Sequence, residues 1–178
     1  NDAYGVFAAQ KGGYGSTKTY RATGINIYDR DGASFILSGN VDMAVKGVGV
    51  DMRGSEKNTV TISGGTILTP DDKEELSYKA VAVTSGTFTM GMNDAKIGAS
   101  GKDTVVQGTI YVGDKGTVNL GLGSNKSRWI GISDNQDGRP VNLYLSDGGT
   151  WENRWTSKDQ YGLFAGSRVT KVAGGSDG

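Results

Sequence analysis

The sequence predicts an all-β chain wound as a right-handed parallel β-helix, a solenoid of about eight coils with small loop insertions. Three observations carry this expectation. Short alternating segments rich in Val, Ile, Thr and aromatic residues recur along the chain, whereas a helical period is hard to find. The segments are bounded by Gly, Asp, Asn and Ser, the residues that supply turn geometry and positive φ. A Gly-Thr step followed by an apolar residue returns as Gly65-Thr66-Ile67, Gly86-Thr87-Phe88 and Gly108-Thr109-Ile110, at intervals of 21 and 22 residues. A period of that size suits one coil of a solenoid, and a β-sandwich does not explain it.

Taken in order, the strand signals are weakest over residues 1–24, where either irregular coil or a cap is expected. Within them, Gly12-Gly13-Tyr14-Gly15-Ser16-Thr17 lacks the Lys of a phosphate loop and is read as a loop or cap. Coils are expected from 25 to 178, so that residues 1–178 form a single β-helix segment. Gly24-Ile25-Asn26-Ile27-Tyr28 and Ser34-Phe35-Ile36-Leu37 alternate, as does Asn58-Thr59-Val60-Thr61-Ile62. Pro70 opens the polar stretch Asp71-Asp72-Lys73-Glu74-Glu75-Leu76, read as a projecting loop with one turn of helix at most. Lys79-Ala80-Val81-Ala82-Val83, Gly108-Thr109-Ile110-Tyr111-Val112, Gly116-Thr117-Val118-Asn119-Leu120 and Pro140-Val141-Asn142-Leu143-Tyr144-Leu145 complete the set. In a parallel coil stack, inward positions pile Val, Ile and Leu into a continuous core and outward positions stay polar.

Composition narrows the chemistry. The 19 basic and 19 acidic residues cancel, and no run of Lys or Arg breaks their scatter. Neither nucleic acid nor an anionic membrane is expected as a partner on that balance. The chain has 30 Gly, 2 Pro and no Cys, so it holds no disulfide framework and no thiolate metal site. It also has no His, which removes the commonest general base and the commonest transition-metal ligand. No apolar run is long enough for a transmembrane helix.

Serine hydrolysis lacks both its base and a Gly-x-Ser-x-Gly elbow. A glycosidase needs two facing carboxylates. Asp29 with Asp31, Asp71 with Asp72, Glu74 with Glu75, Asp134 with Asp137, and Asp147 are the candidates, and their placement beside Gly, Asn or Pro marks most of them as turn formers. Ser133-Asp134-Asn135-Gln136-Asp137-Gly138 opens like a calcium loop but has Tyr144 where the twelfth-position carboxylate belongs. Gly47-Val48-Gly49-Val50-Asp51 is a lone partial copy of a calcium-binding repeat and is read as an apolar turn. No metal site and no cofactor is expected. Aromatics remain: Trp129 and Trp151 are expected inside the coils, while Trp155 and Tyr161 sit in a polar insert. That insert, Asn153 to Tyr161, and the 70–78 loop, with Asp71, Asp72, Lys73, Glu74, Glu75, Trp155 and Tyr161, are the expected partner-binding segments, because binding loops project from rigid scaffolds.

The last third carries a resemblance. Val141-Asn142-Leu143-Tyr144-Leu145-Ser146-Asp147-Gly148-Gly149-Thr150-Trp151-Glu152-Asn153 resembles the Leu-x-Leu, Gly-rich turn, Trp rung of pertactin-like autotransporter passengers. Ser167-Arg168-Val169-Thr170-Lys171-Val172-Ala173-Gly174-Gly175 is similar to the next such rung. The resemblance implies a segment of a longer bacterial passenger, at the cell surface or secreted, anchored by an outer-membrane barrel outside these residues. It further implies a non-enzymatic adhesin that meets a host surface protein, a glycan or another copy of itself, in attachment, autoaggregation or biofilm formation. A carbohydrate-active β-helix enzyme and a structural spacer displaying another domain are the alternatives.

Overall fold

The computed structural model describes residues 3–6, 22–70, 78–93, 98–134, 141–153 and 169–174. Among them every regular element is a strand and every strand pairing is parallel. The strands in chain order are β1 (Ala3–Val6), β2 (Ala22–Asp29), β3 (Ser34–Ala44), β4 (Gly47–Gly54), β5 (Thr59–Leu68), β6 (Lys79–Met90) and β7 (Thr104–Gln107). They continue as β8 (Thr109–Leu122), β9 (Arg128–Gly131), β10 (Ser133–Asp134), β11 (Val141–Leu145), β12 (Thr150–Asn153) and β13 (Val169–Gly174). The long strands bend at corners, so that one strand serves two faces.

Three faces result. The first stacks β2, β4, the start of β6, the start of β8, and β10. The second stacks the start of β3, the start of β5, the end of β6, the end of β8, then β11 and β13. The third stacks β1, the end of β3, the end of β5, β7, β9 and β12. The chain is therefore a parallel β-solenoid of about five coils.

Five, not eight, is the coil number, and the register shows why. Ala22 lies beside Gly47, 25 positions on; Val50 beside Val81, 31 on; Val81 beside Ile110, 29 on; Ile110 beside Ser133, 23 on. The Gly-Thr steps do mark corners, but corners of different faces. Gly65 enters the third face, Gly86 the second and Gly108 the first. Their even spacing is a corner-to-corner distance and not the period of a coil. The segment 47–51, read from sequence as a turn, lies inside β4 instead, because its apolar positions continue the inward stack.

In-register stacking places like on like. On the second face, Phe35, Val60, Phe88, Val118 and Val141 form one inward column, and Leu37, Ile62, Met90, Leu120 and Leu143 the next. The first face contributes Ile25, Val50, Val81 and Ile110, with Ile27, Met52, Val83 and Val112 beside them. The third contributes Met43, Ile67, Val106, Trp129 and Trp151. Most of these side chains are fully buried, and each full burial of this kind stabilises by about 1.5–3 kcal/mol. The tryptophans stack face to face, with centroids 4.9 Å apart and an interplanar angle of 9°. Each indole N–H donates to the carbonyl of a corner glycine one coil back, Trp129 to Gly108 at 3.1 Å and Trp151 to Gly131 at 3.2 Å. Both rings therefore belong to the interior column, as the sequence predicts.

Corners need residues that turn the chain tightly against the coil beneath. Gly86 has φ of 97°, and a Cβ there would stand 2.5 Å from the Asn58 carbonyl oxygen. The φ is one that L side chains rarely adopt, and the contact is backbone, which cannot yield. Asn58 itself is completely buried. Its amide donates to the carbonyls of Asp29 and Arg53 at 3.0 and 2.8 Å and accepts from the Ala33 N–H at 2.7 Å. One side chain thus satisfies backbone groups of two coils at the corner between first and second faces. Serine turns do the same work elsewhere: Ser55, Ser100 and Ser124 each accept the N–H of the Lys two residues on.

The columns set a graded cost for truncation. Phe88→Ala, at the fully buried middle of its column, should cost about 3–5 kcal/mol. Phe35→Ala, at the 37% exposed end of the same column, should cost much less. Chemical denaturation followed by circular dichroism measures both, and equal losses would contradict the stacking order.

Candidate functional site

A solenoid offers its outward faces as working surfaces, and the three faces differ in charge. Alternation along the strands of the second face turns two columns outward. Ser34, Thr59, Thr87 and Thr117 stand in one register line. Ile36, Thr61, Thr89, Asn119 and Asn142 stand in the other. The neighbours that alternate with them, Val60, Ile62, Phe88, Met90, Val118, Leu120, Val141 and Leu143, are inward and buried. These nine outward positions carry eight hydroxyl or carboxamide side chains and no charge.

The side chains also bond along the solenoid axis. Asn142 donates to the Asn119 carboxamide oxygen at 2.9 Å, and Asn119 donates to the Thr89 hydroxyl at 3.3 Å. Thr59 donates to the Ser34 hydroxyl at 3.0 Å. Such ladders restrict side-chain rotation across successive coils. The exposed hydrophobics gather at the same end of this face: Ile36 is 68% exposed, and Tyr28 and Phe35 flank the turn that leads into it.

The first face carries charge. Arg53 grips Asp51 with two nitrogens, at 2.9 and 2.5 Å. The Asp51 hydrogen bond, then its charge, holds the Arg53 guanidinium even more firmly protonated than usual, against a smaller opposing effect of burial. Lys79 reaches Asp134 at 3.5 Å and lies 4.2 Å from the centre of the Tyr111 ring. The third face carries Asp42, Arg128 and Glu152 outward; Asp42 accepts from Thr66 at 2.8 Å.

Of the carboxylates predicted as candidates, Asp29, Asp31, Asp134 and Asp147 lie among the described residues. Asp29 accepts the N–H groups of Asp31 and Gly32, both at 2.8 Å, so it is a turn former. Asp147 holds a positive φ of 50° in the turn between β11 and β12. Asp134 lies on the first face with Lys79. Among the described residues no group of three or more Asp or Glu gathers in a metal-binding arrangement. The expected binding segments, Asp71, Asp72, Lys73, Glu74, Glu75, Trp155 and Tyr161, lie outside the described residues, as does Asp137.

The outward hydroxyl face was not singled out from sequence. Its signal was present as Thr59-Val60-Thr61, Thr87-Phe88-Thr89 and Thr117-Val118-Asn119. Only the register shows that these three segments are neighbours. Comparison of the chain with protein-family models, with curated proteins and with solved structures gives no match in any of the three.

The Lys79–Asp134 contact is about three-quarters buried on both partners. A double-mutant cycle with Lys79→Met and Asp134→Asn should give a coupling of about 1 kcal/mol or less, weakened by added salt. A coupling of several kcal/mol would mark this pair, and not the hydroxyl face, as the feature built for a purpose.

Proposed function

We propose that this chain is a non-enzymatic attachment segment of a bacterial surface passenger of the autotransporter type, and that the second face is its contact surface. The observation that carries the reading is the pair of uncharged outward columns running from Ser34 and Ile36 to Thr117 and Asn142. Side chains of this kind donate and accept hydrogen bonds without a charge to desolvate. They fit an uncharged polar partner, such as a neutral glycan, a host surface protein or the same face of a second copy. The absence of net charge removes long-range repulsion between copies. The rungs of β11 and β12, stacked on β8 and β9, support the resemblance to passenger coils. An extracellular location at the bacterial surface belongs to the same proposal.

Among the described residues, glycan cleavage receives no specific support. Asp51 is tied to Arg53, Asp134 to Lys79, Asp103 to Ser124 and Lys126, and Asp29 to its own turn. A retaining or inverting pair needs two carboxyl groups opposed across one bond.

Purified protein applied to glycan and host-matrix protein arrays, with sedimentation to detect self-association, tests the reading. Binding without turnover is the expected result. Thr61→Lys combined with Thr89→Lys should abolish it while leaving the circular dichroism spectrum unchanged. Cleavage of a bound glycan would overturn the non-enzymatic reading, and silence on arrays and in sedimentation would replace it with that of a spacer.

A further inference from the structure

The second face has a property that partner recognition does not require: its hydroxyls repeat coil by coil in two parallel columns. We infer that its threonine array adsorbs to ice, by ordering a layer of water on the columns that contain Thr59, Thr61, Thr87, Thr89 and Thr117. This inference goes beyond the attachment reading and does not rest on it.

The register is unbroken where it matters. Thr59 pairs with Thr87 and Thr61 with Thr89; Thr87 pairs with Thr117 and Thr89 with Asn119, all without a shift. Two successive coils therefore repeat Thr-x-Thr, and the third keeps the register as Thr117-x-Asn119. Neighbouring coils in a parallel stack are about 4.8 Å apart, and residues two apart on a strand are about 6.6 Å apart. Tetrahedral water with hydrogen-bonded oxygens about 2.75 Å apart places second-neighbour oxygens about 4.5 Å apart, and repeats along its hexagonal axis at about 7.3 Å. The mismatch is about 0.3 Å per coil, which grows to about 0.6 Å over three coils, and about 0.7 Å between the two columns. A hydroxyl rotor absorbs a displacement of that size.

The chemistry agrees with the spacing. Threonine presents a methyl that confines water and a hydroxyl that takes a place in the network. Thr61, Thr87 and Thr117 are half-buried on this face, and among the described residues nothing accepts from or donates to their hydroxyls. Asn119 holds Thr89 in place and leaves its O–H free to donate outward. The charge match is direct: ice is an uncharged hydrogen-bonding surface, and the column positions from Ser34 and Ile36 to Thr117 and Asn142 are uncharged, the next in register being Lys171 of β13, whereas the first and third faces carry Asp51, Arg53, Lys79, Asp42 and Arg128 outward. A sugar surface is fitted less well, because neither column holds an aromatic ring on which a sugar could stack.

Fluorescently labelled protein frozen slowly onto a cold finger tests the inference, together with an ice-recrystallisation assay. Thr61→Lys with Thr89→Lys blocks the face, and Thr66→Lys on the third face controls for an added lysine elsewhere; melting curves confirm that both variants fold. The expected result is that the unaltered protein and the Thr66 variant enter the ice and keep its crystals small, while the double variant is left in the liquid. Exclusion of the unaltered protein from ice would overturn the inference, as would equal adsorption by the double variant. Array binding and sedimentation are read on the same preparations, so failure on ice and failure of the attachment reading are told apart.

Discussion

Each coil can satisfy its strand amides only by lying parallel and in register on its neighbours. That constraint governs the rest of the molecule. Main-chain bonding fixes the axial spacing at about 4.8 Å, and with it every side chain gains the equivalent side chain of the next coil as a neighbour. An inward position must then be apolar in coil after coil, because a lone polar group there would face a column of hydrocarbon. The column from Phe35 to Val141 and the paired indoles of Trp129 and Trp151 follow from this. So do the outward columns of threonine and asparagine, since the same register repeats whatever stands on the other side of the strand.

The corners bear the cost of that regularity. A bend must pass close over the bend beneath it, which excludes a Cβ at Gly86 and leaves backbone groups to be satisfied at Asn58. Corners also absorb variation. The register interval between coils runs from 22 residues, Arg128 to Thr150, to 39, Gly65 to Thr104, while the strand faces stay aligned. Insertions are tolerated there because loop closure grows only slowly more costly with length. The faces are therefore the conserved geometry of the molecule, and their outward chemistry is free to be selected for contact.

Much of this was legible in the sequence, for identifiable reasons. Alternation is local, and it located β2, β5, β8 and β11 from segments such as Thr59-Val60-Thr61-Ile62. Parallel stacking followed from the glycine-bounded repetition of such segments. The coil period is not legible from sequence, because Gly65, Gly86 and Gly108 are chemically alike and serve three different corners. A stronger turn signal was the Ser-x-Lys unit at Ser55, Ser100 and Ser124, where a serine accepts its own turn's amide. The contact face stayed hidden for a physical reason: Thr61, Thr89 and Asn119 are about a coil apart in sequence, and only inter-coil register makes them one surface.

Register is thus the claim on which fold, face and function all rest, and the chain's lack of cysteine allows a direct test. Thr61→Cys with Thr89→Cys puts two thiols on adjacent coils, with Cα atoms about 4.8 Å apart, inside the disulfide range of about 4.4–6.8 Å. Thr61→Cys with Asn119→Cys puts them two coils apart, about 9.6 Å, beyond that range. Under mild oxidation the first pair should close an intramolecular disulfide, seen as loss of titratable thiol without dimer formation, and the second should stay reduced. Closure of the second pair with the first left open would contradict the coil assignment and everything built upon it.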